Sequence, residues 1–198
     1  MSEQTTRSEV FRAALDLQDF CRARGWAFCF IGGVALERWA VPRFTKDADM
    51  TLLTRFVHDQ ECITGLLARF SARYANAAEF AAQARVLLLK HENGVELDVA
   101  LGAFDFEARS IERGSVWKAR HGIELFTCSA EDLIVHKAFA SRLKDWADVE
   151  SVLAVQRDRL NGPQILAELG PLAELKEDTD IVPRLERMMR EHGVPVRA

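Results

Sequence analysis

Several things this chain lacks narrow what it can be. Cysteine is sparse: Cys21, Cys29, Cys62 and Cys128 are widely spaced, form no CxxC pair and keep no ligand spacing with the five histidines. That disfavours a disulfide scaffold or a zinc centre, and the four thiols read as reduced, mostly buried residues. Positive charge is not in excess, since 26 Lys and Arg stand against 30 Asp and Glu for a formal net charge of −4. No global field therefore draws in a nucleic-acid backbone. Lys118, Arg120, Arg142, Lys144, Arg157 and Arg159 could still form a local RNA-facing patch, though without interleaved aromatics. The longest uncharged apolar stretch, Trp26–Leu36, contains two glycines and falls short of the ~20 residues of a membrane span. Residues 1–24 lack the apolar middle of a signal peptide, so a cytoplasmic protein with no membrane partner is expected. No GxGxxG is present, and no glycine loop ends in Lys-Ser or Lys-Thr, which disfavours dinucleotide and Walker-type sites.

What is present is 198 residues with 48% hydrophobic content, enough for one substantial core and a small helical appendage. Val10, Ala14, Leu17 and Cys21 recur at helical spacing ahead of Gly25 and predict a helix over 6–24. Trp26–Ile31 reads as a buried strand ending at Gly32-Gly33, and 34–40 as a helix closed by Pro42. Residues 46–53 read as a second strand and 57–70 as a helix; the alanine-rich stretch 72–85 gives no clear element. Apolar runs 86–90 and 95–101 flank Asn93-Gly94, a hairpin signal. After a connecting region with Phe104, Phe106 and Trp117, the pattern turns helical near Thr127, dividing the chain into residues 1–127 and a helical remainder, 128–198. Ser129-Ala-Glu-Asp132 is a capping-box-like helix start, and further helices are expected from Trp146, near 164–169 and over 180–192.

The chemistry gathers in the first part. Asp47 and Asp49 alternate with Ala48, Met50 and Leu52, so on a strand both carboxylates share one face, about 6–7 Å apart. Asp98 alternates with Leu97 and Val99 in the second hairpin arm and can meet them from a neighbouring strand. Three acids brought together repel unless cations intervene, and two-metal phosphoryl chemistry uses such carboxylates to bridge cations about 3.5–4 Å apart. The plain alternative is that all three are solvent-facing polar positions of alternating strands. Gly32-Gly33 before a helix lets backbone approach phosphate and aims free amides at it; alone, such a pair is usually just a turn.

Gly32-Gly33 followed by Arg43-x-Thr45-Lys46-Asp47-x-Asp49 resembles the signature of the DNA polymerase beta-like nucleotidyltransferase superfamily. With Glu96-Leu97-Asp98 and Ser129-Ala-Glu-Asp-Leu-Ile-Val-His-Lys137 through Arg142-x-Lys144-Asp145-x-x-Asp148, it is similar to the minimal bacterial branch that includes AbiEii-type toxins. The resemblance implies an α+β fold, a mixed sheet with flanking helices and a C-terminal helical bundle. It also implies Mg2+ or Mn2+, a nucleoside triphosphate such as ATP, and transfer of a nucleoside monophosphate with release of pyrophosphate. Asp47, Asp49 and Asp98 would be catalytic and bind metal. Gly32, Gly33, Arg43, Lys46 and Lys137 would contact nucleotide, with Thr45, Asp145 and Asp148 supporting them. Residues alone leave Arg43 divided between phosphate support and a surface ion pair, and Lys137 between a triphosphate contact and a solvated helix lysine. His121 and His136 read as structural or surface residues. Many members carry Gly-Ser where this chain has Gly32-Gly33, so backbone amides would have to serve the phosphate. The acceptor stays open among transfer RNA, protein and a small antibiotic-like molecule, the first two implying a toxin with a cognate antitoxin. A catalytically silent nucleotide- or partner-binding module of the same fold is the competing reading.

Overall fold

The structure, a computed structural model, describes residues 3–119 and 122–197. His121 and Arg120, read above as a structural or surface residue and part of an RNA-facing patch, lie outside the described residues. In chain order the elements are α1 (Glu3–Arg22), β1 (Phe28–Phe30), α2 (Gly32–Trp39), β2 (Asp47–Leu53), α3 (Asp59–Arg69), β3 (Ser71–Ala72), α4 (Ala77–Ala84), β4 (Val86–Lys90), β5 (Glu96–Gly102), α5 (Asp105–Glu112), β6 (Ser115–Lys118), β7 (Glu124–Thr127), α6 (Ala130–Ala140), α7 (Leu143–Gln156), α8 (Gly162–Leu175) and α9 (Ile181–Glu191). No helix among the described residues is long and apolar enough to cross a membrane.

The backbone separates into two compact units: residues up to Val34 with Phe44–Cys128, and Ala35–Arg43 with the chain from Ser129 onward. The first unit is built on one seven-stranded mixed sheet ordered β3-β4-β5-β2-β1-β7-β6. β2 and β5 run parallel at its centre, while β4 pairs antiparallel with β5 through the Asn93-Gly94 turn. In that turn the Asn93 side chain accepts the Val95 amide at 3.1 Å, a local bond that closes the hairpin. Period-two alternation sends Ala48, Met50, Leu52, Leu97, Val99 and Leu101 to one face, all 0–2% exposed, where they join Val10, Ala14 and Leu17 of α1 and Ile63 and Leu66 of α3 in a single core. The fully buried Gln18 of α1 donates to the Glu124 carbonyl and accepts from the Phe126 amide, both at 2.8 Å, so both its amide nitrogen and its oxygen have a partner in the core.

The second unit has the α6–α9 helices around Leu133, Ile134, Val149, Val152, Leu153, Ile165, Leu169, Leu185 and Met189, all fully buried. Ser129 caps α6 by accepting the Asp132 amide at 3.0 Å, as its sequence motif predicts. The segment 35–43 belongs here because one face of α7 holds it at three points. Asp148 binds Arg43, Ser151 Oγ accepts the Val41 amide at 3.2 Å, and Gln156 donates to the Trp39 carbonyl at 2.7 Å. These partners sit 105 to 117 residues apart in sequence, beyond any local signal.

Several boundaries differ from expectation. The glycine pair lies within α2, which begins at Gly32 instead of after the pair. The stretch 72–85, unplaced from sequence, supplies β3's end and α4, and the connecting region holds α5, β6 and β7. β7 joins the sheet by pairing parallel with β1, Phe30 against Thr127.

Candidate active site

Of the expected site residues, the first unit brings together Gly32, Gly33, Thr45, Asp47, Asp49 and Asp98. In the parallel β2·β5 pair Asp49 stands opposite Asp98, and Asp47 opposite Glu96. Adjacent strands are about 4.8 Å apart, so four carboxylates occupy one small area of the face turned away from the core. Asp47, Asp49 and Asp98 are half-buried and Glu96 is exposed.

Each of the first two aspartates is held by a neutral donor. Thr45, buried, donates its hydroxyl to Asp47 Oδ1 at 2.9 Å, and the Gly33 amide donates to Asp49 Oδ2 at 3.3 Å. Both contacts depend on missing side chains. A Cβ on Gly32, where φ is +54°, would stand 2.0 Å from Asp49 Oδ2, and one on Gly33 would stand 2.1 Å from Thr45 Oγ1. The glycine pair is thus the floor on which Asp49 and Thr45 rest. A serine at position 33 would strike Thr45, which accounts for the glycine pair here.

Asp98 and Glu96 are held by a cation that sequence reasoning missed. Arg73 Nη2 donates to Asp98 Oδ1 at 2.7 Å and Nη1 bridges to Glu96. Arg73 reaches them because its amide bonds to the Leu88 carbonyl at 3.1 Å, and Leu88 is the β4 register partner of Asp98. Glu96 was legible as the i−2 neighbour of Asp98 on the same strand face; Arg73 lies in the stretch that gave no pattern. Lys46 is exposed.

The donors are hard oxygens, the set that suits Mg2+ or Mn2+ and not a thiophilic metal. Buttressing of Asp47 by Thr45 and of Asp49 by Gly33 on the polar face of the sheet fits such an ion.

In the second unit, Arg43, Asp148, Lys137, Asp145 and Arg142 form an alternating string of charges. Arg43 grips Asp148 with two bonds, 2.7 and 2.8 Å; Lys137 Nζ lies 2.8 Å from Asp148 and 3.1 Å from Asp145; Arg142 Nε donates to Asp145 at 2.5 Å. Lys137 is only 7% exposed, so the solvated-lysine alternative fails. The i, i+3 spacing of Asp145 and Asp148 aims both carboxylates at one ammonium. Burial pushes both carboxyls up, but the bonds from Arg142 and Lys137 on Asp145, and from Arg43 and Lys137 on Asp148, outweigh it, and both titrate below the usual carboxylate value. His136, on the same helix, is lowered to about 4, chiefly by burial, with Asp132 pulling it back up and Lys137 pushing it down. It is neutral at physiological pH, in keeping with a structural residue.

Other candidates recede. Asp16, His91 and Glu92 bring ligating atoms within 4.8 Å of one another. His91 Nδ1, however, accepts the Asn93 amide at 3.2 Å, which leaves Nε2 to carry the proton it shares with Asp16 at 3.0 Å and no lone pair for a metal. Arg157 and Arg159 turn back onto the carbonyls of Ala154, Val155 and Gln156, capping the end of α7. The four cysteines are buried, and none forms a disulfide among the described residues.

No family model matches the chain, and no curated protein matches it in sequence. Among solved structures, the chain is similar to an antigenic nucleotidyltransferase-like protein from Paracoccidioides brasiliensis, with a TM-score of 0.50 at 13% identity over 93% of this chain and 94% of that one. It is also similar to the antibiotic-resistance factor ANT(2'')-Ia, with a TM-score of 0.52 at 15% identity over 94% of this chain and all of that one, 100%. Likeness at such identities speaks to architecture: the protein has an α+β, nucleotidyltransferase-like fold, a mixed sheet with flanking helices and a C-terminal set of helices.

Proposed function

We propose that the protein is a divalent-cation-dependent nucleotidyltransferase, moving a nucleoside monophosphate from a nucleoside triphosphate to an acceptor hydroxyl with release of pyrophosphate. The observation that carries this reading is the register of β2 and β5, which sets Asp49 against Asp98 and Asp47 against Glu96 beside the glycine opening of α2. When bound by Asp47, Asp49 and Asp98, Mg2+ or Mn2+ supplies charge neutralisation at the phosphates and a lowered pKa for the attacking hydroxyl. The protein's own residues prepare the ground. Thr45 and Gly33 lock the Asp47 and Asp49 rotamers before substrate arrives, so little reorganisation is left to the reaction. By the family resemblance, Asp98 would also take the acceptor proton. Gly32-Gly33 serves nucleotide binding mainly through Asp49, because the Gly33 amide is already given to that side chain. Lys137 spends two N–H bonds on Asp145 and Asp148 and keeps a third, the one a phosphate oxygen would take; Arg43 and Lys46 are the other proposed phosphate contacts.

The same fold in an antibiotic-resistance factor makes a small hydroxyl-bearing antibiotic the first acceptor to try. The test is label transfer from each α-labelled triphosphate, ATP included, to an antibiotic panel, to total RNA and to lysate protein, with and without Mg2+. Metal-dependent transfer that disappears in Asp47→Asn/Asp49→Asn is expected. Transfer to transfer RNA or protein, relieved by a cognate antitoxin, identifies a toxin of the AbiEii-like branch. Triphosphate affinity without pyrophosphate release identifies the silent binding module, and absence of transfer in every arm, or transfer undiminished in the double variant, refutes the proposal.

A further inference from the structure

On the acid face Asp47 accepts from a hydroxyl and Asp49 from an amide, and Asp98 and Glu96 share one guanidinium. Arg73 reaches that position from the bend after β3, its backbone anchored on Leu88 and its side chain 16% exposed. Its Nε is buried with no hydrogen-bond partner among the described residues. Leaving one donor buried and unmade costs stability, and the two carboxylates beyond it are what hold the group there. A divalent cation at this face and the Arg73 guanidinium draw on the same carboxylate charge. Two cations competing for one anion bind with negative coupling, each weakening the other by the same factor.

We infer that Arg73 is a resident counter-cation of Asp98 that opposes metal binding there and so sets the metal demand of the site. This rests on the nucleotidyl-transfer reading, in which Asp98 is a metal ligand. Arg73 is a positioning residue: it holds Asp98 while the metal is away and gives it up when the metal arrives. Its partners tolerate its removal, because the side chain of Asp98 is 29% and that of Glu96 54% exposed, so neither is left as a buried unpaired charge.

The test is Mn2+ binding to the whole metal-free protein, read from the free-Mn2+ electron paramagnetic resonance signal at fixed pH and ionic strength, with circular dichroism as a check on folding. Arg73→Gln should tighten Mn2+ binding by about fivefold, the size of a partly exposed ion pair, and Arg73→Lys, which keeps the charge, should stay near wild type. The gain should vanish in an Asp98→Asn background, as a double-mutant cycle requires. Arg73→Ala repeats the measurement should the glutamine variant fold poorly. Mn2+ binding that is lost in Asp47→Asn/Asp49→Asn but unmoved or weakened by Arg73→Gln overturns this inference and leaves the transferase reading standing. A gain that persists without Asp98 also overturns it. No Mn2+ binding by wild type or by any Arg73 variant overturns both.

Discussion

Gly32 is where local backbone and tertiary packing make the same demand, and Gly32→Ala separates the two costs. Its φ of +54° lies in the left-handed region, where an alanine carries a penalty of about 1–2 kcal/mol. The added Cβ would also stand 2.0 Å from Asp49 Oδ2, 2.5 Å from Cγ and 2.7 Å from Cβ. Rotating the Asp49 side chain clears the first two contacts but not the third, so α2 or β2 has to move, an overpacking cost of about 1–3 kcal/mol. The sum is about 2–5 kcal/mol, or roughly 5–20 °C in melting temperature for a chain of this length. Gly33→Ala is the comparison. There the Cβ meets Thr45 Oγ1 at 2.1 Å and Thr45 Cβ at 2.7 Å without a positive φ, so only the overpacking cost of about 1–3 kcal/mol applies. Thermal and urea melts followed by circular dichroism should therefore rank wild type above Gly33→Ala and Gly33→Ala above Gly32→Ala. Adding Asp49→Ala to Gly32→Ala should return only part of the loss, since the Asp49 Cβ remains. A Gly32→Ala protein melting within about 2 °C of wild type, or full rescue by Asp49→Ala, would refute the reasoning.

Three further outcomes follow from the charged and buried groups. Asp148→Asn removes the negative charge that Arg43 grips with two bonds and leaves the buried Lys137 with Asp145 as its charged partner, so it should cost about 3 kcal/mol in urea titrations, while Lys137→Met, which leaves each aspartate with an arginine, should cost less than half of that; equal losses would contradict the string of charges. His136, with a folded pKa of about 4 against an ordinary 6.5, is neutral when folded, so its contribution is intact above pH 6.5 and drains away as pH falls from there toward 4, because the unfolded chain takes up the proton first. Asp145 and Asp148, depressed below the usual carboxylate value, lose theirs only at still lower pH, and His136→Gln should flatten the upper part of a stability-versus-pH curve without touching the lower. Burial raises Cys21 to about 12 and Cys62 to about 11, so a thiol reagent at pH 8 should leave both unlabelled in the native protein and label them in urea; native labelling of either would contradict that burial.

The parts of this protein readable from sequence alone are those written in short periods. Alternation places Asp47 and Asp49 on one face and Asp98 on another strand's polar face, Asn93-Gly94 turns the hairpin, and Ser129 caps a helix; each is decided by neighbours within a few residues. Glu96 belonged to that group too, two residues from Asp98. What tertiary structure decided is which strands lie side by side and which distant side chains complete them. The β2·β5 pairing sets Asp49 against Asp98, and Arg73 arrives only because β3 extends the ladder to Leu88. One face of α7 gathers residues 35–43 from over a hundred positions away, supplying the Arg43–Asp148 pair. Tertiary structure also made the glycine pair the floor under Asp49 and Thr45. Local periodicity sets which way a side chain faces, but the partner it meets is chosen by long-range pairing, whose free energy comes from burying both elements at once and leaves no mark within either segment.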